Sequence, residues 1–211
     1  MKQTKPFIIT INRQLGSGGA YIGQQLADKL SIFYADREII RHAAKELSVM
    51  EEDIDFREEK VPSFWEALFQ NNAFSADIYV PQKSMPPTDR ELFEAEANVI
   101  RHIAKEKSAV IIGRCGFHIL KNYPNLIKVY LHASKDFRSN RIQRVYEISK
   151  EEADKMIIQS DKARTSYCKS YTGKEWADAR NYDICIDTSK VDVDKTTELI
   201  LGYLKAKDLY I

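Results

Sequence analysis

Four small residues, Gly16, Ser17, Gly18 and Gly19, follow the compact apolar run Phe7 to Ile11 and precede a stretch in which Ile22, Leu26 and Leu30 recur at every fourth position. That order predicts a buried strand, a tight glycine loop and an amphipathic helix. Glycine takes positive φ without strain and lets the backbone approach a ligand closely. The first amides of a helix lack internal acceptors and carry partial positive charge. Together these features make a seat for an anion, phosphate above all. A strand-to-helix turn that binds nothing needs fewer small residues. The expected phosphate-binding backbone is therefore Gly16, Ser17, Gly18, Gly19 and Ala20.

The loop departs from the G-x-x-x-x-G-K-[ST] pattern of phosphate loops. Laid over that pattern, Arg13 stands at the first glycine and Gly19 at the lysine, while Ala20 and Tyr21 offer no aliphatic hydroxyl for magnesium. Ser17 is the nearest hydroxyl. Arg13 is the expected carrier of the missing charge, because a planar guanidinium matches phosphate oxygens. Arg138 and Arg141, at i and i+3, share one face of a predicted helix that follows an apolar run, with Arg164 further along. Ligands of open α/β sheets bind at the carboxyl ends of strands, so these arginines are placed to surround a chain of phosphates, together with Arg13 and Arg114. A solvated helix face with Glu partners is the competing reading. Asp36 also follows a predicted strand; it either meets an acceptor or magnesium, or caps the next helix. His42, His102, His118 and His132 show no metal spacing, and Cys115, Cys168 and Cys185 form no CxxC pair. Both sets read as structural or as plain thiols, with no metal site.

The elements that must position these residues alternate along the chain. Strands are expected at 7–11, 32–34, 109–112, 126–131 and 183–187. Helices are expected after Gly19, over 38–47, from Thr88 with Glu91 as a capping box, from Ser134, from Ser149 with Glu152, and around Leu199 to Leu204. This βα alternation implies an α/β fold, a three-layer α/β/α arrangement around a mostly parallel sheet. The 211 residues suit a single domain. Lys plus Arg (32) nearly balance Asp plus Glu (31), which gives no reason to expect nucleic acid or a membrane as partner. No apolar stretch approaches the roughly 20 residues of a membrane span. With no signal-peptide pattern and three scattered cysteines, the expected location is cytoplasmic.

The segment ITINRQLGSGGAYIGQQLADKL resembles the amino-terminal signature of cytidylate kinase-like proteins. FYADREII, AVIIGRCG, IKVYLHASKDFRSNRIQR, SDKARTSYCKSYTG and NYDICIDTS are similar to later parts of that family, so the likeness spans nearly the whole chain. The resemblance implies a phosphate-loop nucleotide kinase fold, ATP as phosphoryl donor, Mg2+ with unassigned ligands, and a CMP-like nucleoside monophosphate as acceptor. It makes Arg13, Arg138, Arg141 and Arg164 the charge-neutralising groups, and Asp36, Arg37 and Arg114 the acceptor contacts. Residues 49–87 correspond to an acceptor-binding insert and 146–180 to a lid. The partner implied is a small-molecule nucleotide; a homo-oligomer is compatible with the sequence. The absent lysine keeps a second function open, a nucleotide or phosphometabolite sensor without turnover.

Overall fold

A computed structural model describes residues 6–40, 42–44, 69 and 90–209. Strand β1 (Ile8–Arg13) leads through the glycine loop into helix α1 (Gly19–Leu30) and then β2 (Phe33–Ala35). After the next described helix, α2 (Arg90–Glu106), come β3 (Ala109–Ile112), a short α3 (Gly116–Ile119) and β4 (Leu126–His132). Helices α4 (Lys135–Tyr146) and α5 (Lys150–Thr172) follow, then β5 (Ile184–Asp187) and α6 (Val193–Ala206). The sheet order is β2-β3-β1-β4-β5, and every pairing is parallel.

β1 is central, covered on both faces, which explains its unbroken apolar start. Ile8, Ile9 and Ile11 are fully buried with Ile22 and Leu26 of α1, Ile100 and Ile103 of α2, and Ile200 and Leu204 of α6. β1 runs two residues beyond the expected strand, because its register with β4 continues through Asn12 opposite Tyr130 and Arg13 opposite Leu131. That extension places Arg13 at the carboxyl edge of the sheet. β2 lies one residue later than expected, with Ala35 packed opposite Ile111.

Two caps agree with the sequence. Ser134 accepts from the Phe137 amide at the start of α4, and Ser149 and Glu152 form a reciprocal capping box on α5. The expected helix over 38–47 is seen at residues 37–40 and 42–44, and Thr88 lies outside the described residues. So does the expected insert at 49–87, apart from Phe69. Within the stretch 146–180, α5 is one continuous helix of 23 residues, and Arg164 sits within it. Its strong cap and the absence of interior Gly or Pro allow that length. Among the described residues, no helix is long and apolar enough to cross a membrane.

Candidate phosphate-binding site

The loop between β1 and α1 is pinned at several points. The Gln14 amide donates to the Leu131 carbonyl, and its side-chain Oε1 accepts from the Ala133 amide at 3.2 Å. Ser17 is fully buried: its hydroxyl donates to the Gln14 carbonyl at 2.9 Å, and its carbonyl accepts from Thr188 Oγ1 at 2.9 Å. Gly16 and Gly18 have φ of 84° and 80°, a region that side-chain-bearing residues seldom enter. A Cβ at Gly16 would also lie 2.9 Å from the Arg138 carbonyl oxygen, so the loop is seated on the backbone of α4. The Ile22 amide bonds the Gly18 carbonyl. The amides of residues 19–21 precede that bond and lie outside the helix's own ladder.

The arginines reach this loop by different routes. Arg141 is half-buried, with its guanidinium over Gly18; a Cβ there would be 3.8 Å from Cζ. Among the described residues it forms no ion pair. Arg13 lays its stem across Gly19 and carries Nη1 to Gly113 at the end of β3. Arg164 donates from α5 to the Arg13 carbonyl. Arg13, Arg141, Arg164 and residues 14–16 and 18–20 line a cleft of about 40 Å³, with Ile142, Val145 and Tyr146 as its apolar wall. Among the described residues, three arginines line it and no carboxylate does. Arg138 is not among the lining residues. It is buried, donates to Asp161 Oδ2 of α5 at 2.7 Å and to the Leu15 carbonyl at 3.4 Å, and so ties α4 and α5 to the loop.

The residues expected at an acceptor are not brought into this cleft. Asp36 Oδ1 accepts from the Ile39 amide at 3.0 Å, so it caps the helical residues that follow. Arg37 donates through Nε and Nη2 to Glu38 Oε1. Arg114, at φ 49°, is buried in an ion pair with Glu96 of α2, and its guanidinium lies 4.6 Å from the centre of the Tyr167 ring. The Tyr167 hydroxyl donates to Glu96 Oε2 as well, at 3.2 Å. Desolvation holds the Tyr167 phenol well above its ordinary range.

Around that pair stands a second cluster of Phe93, Cys115, Phe117, Tyr130, Cys168, Trp176 and Tyr182. Tyr182 accepts from Asn12 Nδ2 at 2.8 Å and donates to the Trp176 carbonyl at 2.6 Å, which ties β1 to the segment before β5. Burial pushes the Tyr130 phenol up to about 12. A hydrogen bond with the Cys168 thiol, aided by burial, keeps the Cys115 proton in place. Sequence reasoning missed Glu96, Asn12 and Tyr182. The one available signal was Glu96 itself, a carboxylate on the apolar stripe of α2.

The geometry suits phosphate better than it suits a metal. The Ser17 hydroxyl, the nearest to the loop in sequence, is turned back into the loop's own bonding and is no ligand. β3 ends in Ile112, with Gly113 beyond it, so no carboxylate stands there. Among the described residues, no group of His, Cys, Asp and Glu could hold a metal ion.

A glycine loop at the end of the central strand of a 2-3-1-4-5 parallel sheet defines the phosphate-loop kinase class of fold. Shikimate kinase from Bacteroides thetaiotaomicron shares it, with a TM-score of 0.52 at 14% identity, covering 94% of this chain and 98% of that one. Sequence narrows the class. A profile of the cytidylate kinase-like family matches residues 8–190, and the chain belongs to that family. Cytidylate kinase from Methanosarcina acetivorans is 27% identical over 194 residues, 91% of this chain and 93% of the relative. The corresponding enzyme from Sulfolobus acidocaldarius is 25% identical over 96% of each chain. An uncharacterized protein from Eubacterium ventriosum superposes with a TM-score of 0.71 at 28% identity, covering 94% of this chain and 98% of that one.

Proposed function

We propose that the chain is an ATP-dependent kinase that transfers the γ-phosphoryl group to a nucleoside monophosphate, with CMP the first acceptor to test. The observation that carries this reading is the cleft over the glycine loop, lined among the described residues by three arginines and no carboxylate. Phosphoryl transfer needs alignment and charge neutralisation more than covalent help from the protein. The amides of residues 16–20 hold the donor phosphates, Arg141 neutralises charge over Gly18, and Arg13 and Arg164 supply cations on the opposite wall. Arg138 acts as a positioning residue, fixing the loop against Asp161 and the Leu15 carbonyl. Bound with ATP, magnesium would shield the phosphate charges.

A cleft of about 40 Å³ has room for roughly three waters. A phosphate group fits there and the rest of a nucleotide lies outside it; 146–180 is the lid that would close over the bound nucleotide in this reading. On the acceptor side the family resemblance suggests Asp36, Arg37 and Arg114; of these, Arg37 is paired with Glu38, and Arg114 is held within the fold by Glu96. The second reading, a nucleotide sensor without turnover, is favoured by the missing lysine and by the lack of a magnesium ligand in the loop.

ADP formation from MgATP, measured across CMP, dCMP, UMP, AMP and GMP, separates the two. Turnover with one monophosphate well above the rest supports the kinase. Thermal stabilisation by ATP with no ADP from any acceptor supports the sensor.

A further inference from the structure

Gly19 has no backbone reason to be glycine. It opens α1 without a positive φ, where glycine costs about 1 kcal/mol relative to alanine in a helix. The reason is steric: a Cβ at Gly19 would lie 2.6 Å from both Cβ and Cγ of Arg13. Cβ is fixed to the β1 backbone and cannot swing away, and Cγ could do so only by taking the whole side chain into another χ1 rotamer, out of its track. The same arginine explains Gly113, whose added Cβ would meet Arg13 Nη1 at 2.5 Å. That contact is with the far end of a flexible side chain, so a larger residue there would displace the guanidinium more than the fold. Arg13 thus runs in a track made by two glycines, from the loop to the carboxyl end of β3.

We propose that Arg13 and Gly19 are a single exchanged unit: the loop's cation has moved from the first turn of α1 to the end of β1, and Gly19 is small so that its stem can pass. The exchange rests on the kinase reading above. It makes Gly19 and Gly113 positioning residues that aim the Arg13 charge between the phosphate cradle and the neighbouring strand end. It also accounts for a lysine-free loop that keeps a cation at its mouth.

The test compares wild type with Arg13→Gly, Gly19→Lys, the double variant carrying both, and Arg13→Met, which keeps the stem and removes the charge. Melting temperature and MgATP affinity by calorimetry are the readouts. Gly19→Lys alone should melt lower and lose MgATP binding, because two side chains claim one space. Arg13→Gly and Arg13→Met should each bind MgATP roughly 10- to 100-fold more weakly. The double variant should recover most of both losses, a coupling that independent sites do not show. If Gly19→Lys does not fold, Gly19→Ala in the wild-type and Arg13→Gly backgrounds reads the same steric coupling. Wild-type binding with additive losses, or with Arg13→Met as tight as wild type, overturns the exchange alone. Failure of the wild type to bind MgATP removes the kinase reading and the exchange with it.

Discussion

Arg141 and Arg114 are the same residue type put to opposite uses. Arg141 stands half-buried over the phosphate loop, with no carboxylate beside it among the described residues. Arg114 is buried against Glu96, under the Tyr167 ring, with an aromatic cluster around it. At the loop, among the described residues, no ion pair takes up the Arg141 charge. At the aromatic cluster the Arg114 charge is consumed within the fold, joining α2, the β3 end and α5. What separates the two is the location of acids. Glu96 rides on the buried face of α2, while on α5 Glu152 completes the helix cap, Glu151 and Asp154 pair with lysines, and Asp161 meets Arg138. An arginine near a strand end therefore signals a ligand only when no carboxylate shares its pocket.

The widest split between the two regions should come from Glu96. Replacing it with Ala leaves the Arg114 charge buried without its carboxylate, and unfolding in urea should show a loss of about 3–5 kcal/mol. A loss below about 1 kcal/mol would mean that the pair is solvated and that Arg114 is available to a substrate. Next comes Gly16→Val. Positive φ and the close Arg138 backbone should cost about 1–3 kcal/mol and remove ATP binding, both read on one purified variant. Arg141→Ala sharpens the contrast. Its stability should change by less than about 0.5 kcal/mol, while ATP affinity falls roughly 10- to 100-fold. If stability falls and affinity does not, Arg141 belongs with Arg114.

The smallest effect concerns α5, the element that both regions share. The Ser149 hydroxyl and amide hold the Glu152 carboxyl below its ordinary range. A depressed folded value contributes stability above the ordinary carboxylate range, and that contribution is lost as pH falls through the folded value. Wild type should therefore exceed Glu152→Gln in melting temperature at neutral pH, with the gap closing under acid. A gap independent of pH would remove the capping box as its cause.

Much of the frame was legible in the sequence. Ile8 to Ile11 and Ala109 to Ile112 read as strands because runs of β-branched residues bounded by glycine suit a sheet covered on both faces. Ser134 and the Ser149 and Glu152 pair marked helix starts because capping depends on a few neighbouring residues. The glycine loop was legible for the same reason: its geometry is local. What escaped were meetings of residues far apart in the chain. Arg138 with Asp161, Arg114 with Glu96, and Asn12 with Tyr182 depend on which helix crosses which strand end, and no spacing rule contains that information. Asp36 was legible only as a choice, and the Ile39 amide places it as a cap.

The account rests on the amides and arginines around Gly16 to Gly19 holding a polyphosphate. A structure determined with ATP and magnesium tests that claim most directly. The β-phosphate should lie against the amides of residues 16–20, with the Arg141 guanidinium on a phosphate oxygen. Nucleotide bound elsewhere, with the loop and the three arginines unchanged, would contradict it.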